Sequence, residues 1–417
     1  MIANNEFKND LSVTQRSSAL KGLQIGLCVT GGIASLEAPK VARELRRMGA
    51  KIKVFATENA LRFVGKDALE WACDSEVRLS ATGQAEHIAL EDAVLVFPAT
   101  VDIIGKAANG ICPDACSTYL QSALGSSCPI FMLPTMHDSL RQSPAFKMNM
   151  RRLEDLPNVF FLEPRVEEGK WKAPDPKIIA SDVAYRLNKI ALTKKIGFSP
   201  NVLLTLGGTA THIDAARTIT NLSTGLLGSM IIARLLERGV TVTAICANHH
   251  ATIPHCSGLK AIEAVQFSEM EQQLTQQCLA NSFHGLFHLA AISDYGPSNV
   301  TSEKITSKEK ELTLNLKQLP KLISTTGISN IEFKIACKYT ASNKPQESEK
   351  AYAFCEKHNL DALLWNWGES AFGESSTNQS MLIQKNYKAV SLLGKEEASK
   401  AMTDLFLSHL VKNFQAQ

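Results

Sequence analysis

At 417 residues, the chain has the length of two or three ordinary domains. Its 45% apolar and 20% charged residues are the proportions of a globular protein and exclude collagen-like, mucin-like and wholly disordered classes. The 44 basic and 41 acidic residues leave a net charge of +3, too evenly balanced for a nucleic-acid partner, so any phosphate handled is expected to be a small one.

Residues 1–19, rich in Asn, Ser, Asp and Lys, read as a flexible lead-in without the apolar segment of a signal peptide. From Leu20 the chain alternates short aliphatic runs with longer helical patterns: Leu23 to Val29, Leu36 to Met48, then Ile52 to Phe55, the β-α-β rhythm of a parallel sheet. Ala93 to Phe97, Pro129 to Leu133 and Val159 to Leu162 read as further strands, with helices at Ile103 to Ala108, Ala115 to Leu124 and Lys177 to Leu187. This is one doubly wound domain over 20–190, and the basic stretch 191–200 ending in Ser-Pro reads as a linker.

A second α/β cycle fills 201–417. Val202 to Leu204, Val240 to Cys246 and Leu286 to Ile292 read as strands, and Leu226 to Arg238 as a helix. Glu311 to Leu316 alternates like a half-exposed strand, Ile331 to Ala336 and Ala362 to Trp365 resume the buried sheet, and Glu396 to Val411 is an amphipathic helix. No apolar run approaches the roughly 18 to 20 residues that span a bilayer, so no membrane partner is expected. The ten cysteines never form CxxC and read as thiols of a cytoplasmic protein.

The two halves echo each other: Gly31-Gly32 follows the first strand of one, and Gly207-Gly208 the first strand of the other. Such glycines let backbone approach a ligand, and a following helix N-terminus offers N–H groups to an anion; the plainer reading is a tight turn. Neither pair belongs to a G-x-G-x-x-G fingerprint, which disfavours a nicotinamide dehydrogenase.

In the first half, Gly31-Gly32-Ile33-Ala34-Ser35, Thr57, His87-Ile88-Ala89-Leu90, Pro98-Ala99-Thr100 and Ile104 to Gly110 occur in that order. The order resembles the homo-oligomeric flavin-containing cysteine decarboxylases and implies a flavodoxin-like flavoprotein domain. The resemblance implies that FMN is held by Gly32, Ile33, Ala34, Ser35, Thr57, Pro98, Ala99 and Thr100, with His87 and His137 catalytic. The residue types suit this. Hydroxyls and a helix start suit a terminal phosphate, and Pro98 to Thr100 end a strand, where α/β sheets bind ligands. A lone histidine is more often structural, and His87 gains its meaning from the surrounding motif. Pro134-Thr135-Met136-His137 has His137 where many members have Asn, and Glu163 to Lys170 replaces their Ala-Cys-Gly clamp, as in archaeal-type variants.

Residues Leu203 to Leu227, with Gly207, Gly208, Asn221, Ser223 and Gly225, then Ala290 to Tyr295 and Lys304-Ile305, resemble the phosphopantothenate-cysteine ligases. The resemblance implies Asn221 and Lys304 as catalytic groups. It implies a nucleotide site from Gly207, Gly208, Ser223, Gly225, Asp294, Lys304 and Lys338, with Mg2+ required and CTP as co-substrate. Activating a carboxylate with a triphosphate gathers anionic oxygens that a metal and a lysine must neutralise. A solvated lysine, an N-cap Asn or Ser and a turn-capping Asp are the bland readings. The family's Gly-Phe-x-x-Glu falls on Ala336 to Thr340 and its Asn-Asp on Asn366-Trp367, so its two carboxylates are missing; Phe372-Gly373 keeps its order. His249, His250 and His255 lack a supporting ligand for a metal and read as a solvated loop.

Together these resemblances imply two doubly wound Rossmann-like domains. The second would join phosphopantothenate to cysteine and the first would decarboxylate the product, in trimers of the flavin domain and dimers of the ligase domain that together form a dodecamer. Three alternatives stay open: a decarboxylase of another cysteine-containing compound, a catalytically impaired flavin- and nucleotide-binding regulatory paralogue, or, least favoured because it leaves the second half unexplained, a simple flavin-dependent oxidoreductase.

Overall fold

The computed structural model describes residues 11–83, 85–306, 311–368, 378–385 and 388–415. The aliphatic runs of the first half pair as β1 (Gln24–Val29), β2 (Lys51–Ala56), β3 (Val77–Arg78), β4 (Ala93–Ala99), β5 (Ile130–Pro134) and β6 (Val159–Phe161). They form one parallel sheet in the order β3-β2-β1-β4-β5-β6. That is the Rossmann order, and it replaces the flavodoxin order that the first expectation implied. Helices 38–47, 101–109, 115–124 and 176–196 cover it, and β1 and β4 are buried almost throughout because both faces are packed. A short antiparallel hairpin, β7 (Arg165–Glu167) with β8 (Lys170–Lys172), follows the sheet.

The chain divides into two compact units between Asn188 and Lys189. The last helix of the first half runs from Pro176 to Ile196, so residues 191–196 are helical where a linker was expected. Residues 11–19 carry no strand or helix of their own, yet they are held: Arg16 and Ser17 N–H donate to Arg47 O, and Arg46 donates to Leu11 O at 2.9 Å.

The second unit repeats the order. Its strands are β9 (Asn201–Leu206), a small β10 (Ala210–His212) and β11 (Thr218–Thr220) pair, β12 (Thr241–Cys246), β13 (Leu259–Glu263) and β14 (Gly285–His288). The set continues with β15 (Tyr295–Pro297), β16 (Leu316–Gln318), β17 (Phe333–Thr340), β18 (Ala362–Trp367), β19 (Gln379–Gln384) and β20 (Ala389–Leu393). The main sheet runs β13-β12-β9-β14-β17-β18-β19-β20, parallel through β18 and antiparallel at its last two strands. Two expectations change here. The run Leu286 to Ile292 stops being strand at His288, and of Glu311 to Leu316 only Leu316 is strand, pairing with β15 outside the main sheet. Phe372-Gly373 lies outside the described residues.

Under β1 the first core contains a buried carboxylate. Glu91 accepts from the Tyr119 hydroxyl at 2.6 Å and pairs with Lys53 at 2.8 Å, while the Tyr119 ring stacks on Phe55 at 4.1 Å between centroids. Burial works to raise the Glu91 pKa, and the bonds from Lys53 and Tyr119 outweigh it, so the value lies below that of an ordinary glutamate. The tyrosine fits because residue 26 is glycine: a Cβ there would stand 2.0 Å from the Tyr119 oxygen. Gly26→Ala should therefore destabilise the first unit by about 1–3 kcal/mol through overpacking. Urea denaturation followed by far-UV circular dichroism tests this, and an unchanged midpoint would show that Tyr119 moves aside at no cost.

Candidate functional site

In each unit the strand order reverses beside the first strand, leaving a crevice at the carboxyl ends where α/β sheets bind ligands. In the first unit it lies between β1 and β4. Thr30 Oγ1 donates to Pro98 O at 2.6 Å and lies 3.3 Å from Thr100 Oγ1, joining the two strand ends. Gly32 sits against the same pair, since a Cβ on it would meet Thr100 Cγ2 at 3.3 Å and Pro98 Cγ at 3.7 Å. Thr57, at the end of β2, caps helix 58–61 by accepting from Ala60 N, and its own N–H bonds Val29 O at 3.0 Å. Gly32, Pro98 and Thr100 thus meet at the tips of β1 and β4, Ala99 ends β4 fully buried, and Thr57 stands at the end of β2, on the other side of β1. Ile33 is 70% exposed, while Ser35 is fully buried and its hydroxyl donates to Gly32 O at 2.7 Å. Ser35 therefore shapes the turn instead of presenting its proton outward. Ala34 belongs to the same short 3-10 turn, 33–37.

His87 and His137 are both exposed. His87 lies on the loop after β3, next to Glu86, whose buried carboxylate accepts from Thr82 N and is bonded by the Thr82 hydroxyl. His137 follows β5, and its carbonyl accepts from Leu140 and Arg141 N–H. The preceding Met136 pairs in both directions with Trp171 of the β7-β8 hairpin, which brings that hairpin to the tip of β5. Arg141 lies 5.3 Å over the Trp171 ring.

In the second unit a cleft of about 160 Å3 opens between β9, β14 and β17 and the start of helix 226–237. Gly207, Ser223, Gly225 and Lys338 line it, together with Asn366. The glycines are required. Gly207 has φ +85° and its Cβ would stand 2.5 Å from Asn248 O, and Gly225, at φ +73°, lies against His249. Gly208 packs beneath, with Asn221 O 2.2 Å from where its Cβ would be. Asn221 donates through Nδ2 to Ala291 O at 3.2 Å, so this amide is partly spent on holding the crevice wall. Burial lowers the pKa of Lys338 from the ordinary lysine value, with Lys321 adding to it, and its ammonium lies 4.6 Å from the Phe354 ring centre.

Asp294 and Lys304 are not among the residues lining this cleft. Asp294 is exposed and ion-paired with Lys321, and Lys304 is exposed on its loop. What holds that loop is Asp214, for which no role was expected. Asp214 is 1% exposed and accepts from Ala216 N at 2.8 Å, Arg217 N at 2.8 Å and Ile305 N at 3.1 Å, with the Arg217 guanidinium also on it. Arg217 in turn reaches Ile305 O at 3.3 Å. The residue next to Lys304 is thereby tied to the turn after β10. The sequence signal, Ile213-Asp214 after a glycine turn, was present, but its partner is 91 residues away. His249, His250 and His255 border an open cavity of their own, and no group of three His, Cys, Asp or Glu among the described residues is placed to hold a metal.

Residues 13–188 match the Flavoprotein family, and residues 199–409 match the DNA/pantothenate metabolism flavoprotein C-terminal domain. A flavoprotein unit followed by a pantothenate-metabolism unit defines the class. The chain is 31% identical over 402 residues to the coenzyme A biosynthesis bifunctional protein CoaBC of Thermococcus kodakarensis, covering 93% of this chain and 96% of the relative. The Methanocaldococcus jannaschii protein of the same name is 31% identical over 91% of this chain and 93% of its own. The Escherichia coli K12 protein is 28% identical over 93% and 97%. The chain belongs to this family of bifunctional coenzyme A biosynthesis enzymes, which carry a decarboxylase and a ligase on one polypeptide.

Asp214 yields a pH signature. Burial would raise its pKa, but the bonds from Ala216, Ile305 and Arg217 outweigh it and lower the value to about 2. A depressed carboxylate contributes stability that is present above the unfolded aspartate range and lost as pH falls through the folded value. Asp214→Asn should melt below the parent at pH 7, and the gap should close as pH falls toward 2. A gap independent of pH would remove the charge from the explanation.

Proposed function

We propose that the second unit joins 4'-phosphopantothenate to cysteine with CTP, through an acyl-cytidylate, and that the first unit decarboxylates the resulting phosphopantothenoylcysteine to 4'-phosphopantetheine with FMN. The observation that carries this reading is the pair of crevices, one per unit, each at the reversal of strand order and each lined by a glycine turn.

For FMN the first crevice is suited by its shape: side-chain-free Gly32 faces Pro98 and Thr100, with the Thr57 hydroxyl at the end of β2. These residues would hold the cofactor, which when bound would take two electrons from the substrate thiol so that CO2 can leave and would return the same two electrons to the resulting enethiolate, giving the saturated thiol. His87 acts as the base near that thiol. His137, at the tip of β5 beside the hairpin carrying Trp171, meets the substrate carboxylate. Exposed Ile33 and Leu36, next to the glycine turn, support a partner subunit covering this face, in trimers of the first unit and dimers of the second that build a dodecamer.

In the second unit the helix start after Gly225 and the Lys338 ammonium favour anionic oxygens. Lys304, on the loop that Asp214 holds through Ile305, neutralises charge developing on the triphosphate, and Asn221 bonds the activated carboxylate. Mg2+ enters with CTP, because this ion binds through substrate phosphates and keeps its waters without needing a protein cage. The free cysteines support work in the reducing cytoplasm.

The purified protein should be yellow and release FMN on denaturation; a colourless chain that FMN fails to reconstitute would overturn the first assignment. His87→Asn should keep the flavin absorbance while decarboxylation falls by roughly 100-fold or more. With phosphopantothenate, cysteine and CTP the protein should release pyrophosphate, and Lys304→Gln should slow that release by about 100-fold or more. Undiminished release would remove Lys304 from the mechanism.

A further inference from the structure

His87 is carried by a loop with little structure of its own. The described residues of 79–92 include neither helix nor strand, and His87 is exposed, so its imidazole stands wherever its backbone puts it. That backbone is not relaxed. Ile88 N donates to Ala85 O at 3.0 Å, closing a turn over Glu86 and His87, and Ala85 lies in the left-handed region at φ +61°. A non-glycine residue there costs on the order of 1–3 kcal/mol and persists where neighbouring contacts enforce it.

Two such contacts flank the histidine. Before it, Lys53 Nζ donates to Glu86 O at 3.4 Å; after it, Ala89 N donates to Ser122 Oγ at 3.1 Å. Both anchors sit on regular elements, Lys53 on β2 and Ser122 on helix 115–124. Lys53 is itself held. Its side chain is 15% exposed, pairs with Glu91 at 2.8 Å, and places its ammonium 5.3 Å from the Phe55 ring centre and 5.2 Å from that of Tyr119. An ammonium has three donors, so it can serve the Glu91 carboxylate and the Glu86 carbonyl together. Glu91 also accepts from Leu90 N at 3.1 Å, which fastens the end of the same loop. A buried ion pair adds little net stability compared with apolar packing, and the carbonyl that this one reaches gives it a second use.

We infer that Lys53 and Ser122 are positioning residues of the decarboxylase, fixing the backbone on either side of His87 so that its imidazole meets the substrate. This inference rests on the reading of His87 as the base given above.

The test uses the full-length, flavin-loaded protein. It measures hydrogen-deuterium exchange over residues 85–90 by mass spectrometry and steady-state decarboxylation of phosphopantothenoylcysteine. Ser122→Ala should speed exchange over this segment about fivefold, the loss of one hydrogen bond. It should lower kcat about tenfold and leave KM within about twofold, because a small misplacement of the base costs rate and not binding. Ser122→Thr keeps the hydroxyl and should restore both readouts. Lys53→Met alone would strand the Glu91 charge, so it is combined with Glu91→Gln, which removes both charges together. That double variant should keep its flavin absorbance, exchange faster over 85–90 and lose about tenfold in kcat.

Unchanged exchange or unchanged kcat in Ser122→Ala or in a folded double variant overturns the inference, as does a loss that Ser122→Thr fails to restore. If the double variant does not fold, the parent decides: Ile88 and Ala89 amides that exchange as fast as an unstructured peptide overturn the inference, and protected ones support it. A parent that releases no CO2 from phosphopantothenoylcysteine is a different result, and it removes the decarboxylase reading itself, whatever the exchange shows.

Discussion

The structure depends on one topological constraint used twice: the first strand of each unit has its second strand on one side and its fourth on the other, so the connections leave in opposite directions. The space between them is one that no helix fills. It stays open because the strand ends beside it are tied by hydroxyls and glycines instead of bulky side chains. Thr30 reaches Pro98 and Thr100 across the first crevice; Thr209 and Ser293 meet at 3.2 Å across the second, where Ser293 N also bonds Thr209 Oγ1 at 3.0 Å. In each case a threonine near the glycine turn fixes the width of the opening, and the glycines let backbone approach where a side chain would block it.

Buried charge adds a second layer of definition in both units. Glu91 below β1 and Asp214 in the turn after β10 are each surrounded by a cation and by neutral donors. Such pairs add little net stability compared with apolar packing, but removing one partner is costly, so they fix an arrangement more than they strengthen it. For Glu91 the arrangement is the packing of helix 115–124 under a sheet with a glycine at position 26. For Asp214 it is the joining of a turn to a distant loop, which leaves Lys304 exposed beside a fixed backbone.

The sequence revealed most where the physics is local. Strands buried on both faces appear as aliphatic runs, and the helix Ala115 to Leu124 was placed to the residue. The polar helix 267–280 and the small helices 58–61 and 66–73 went unmarked, since their apolar stripes are narrow and their packing is tertiary. The apolar run past His288 misled in an instructive way: Ala290 and Ala291 are apolar because they wall the cleft, although the ladder has already ended. In the sites, the glycine turns after the first strand of each half were readable from the sequence, and Lys338 came in with the resemblance to the ligases. The Thr30 and Asp214 contributions were not, because each is defined by a partner brought to it only by the fold.

The places where this chain departs from the ligase pattern prove to be joined to one another. The resemblance puts the family's glutamate at Thr340 and its aspartate at Trp367, and these two residues stand opposite each other in the β17-β18 ladder. Both contact Trp365: its indole N–H donates to Thr340 Oγ1 at 2.7 Å, and its ring lies 4.9 Å from that of Trp367. Two missing acids are thus replaced by one packed aromatic unit, with the buried indole donor satisfied by the threonine. With a threonine and a tryptophan at this pair of positions, the two strands add no negative charge next to Lys338, and an ammonium without an adjoining carboxylate on its own strand is the better partner for an anion.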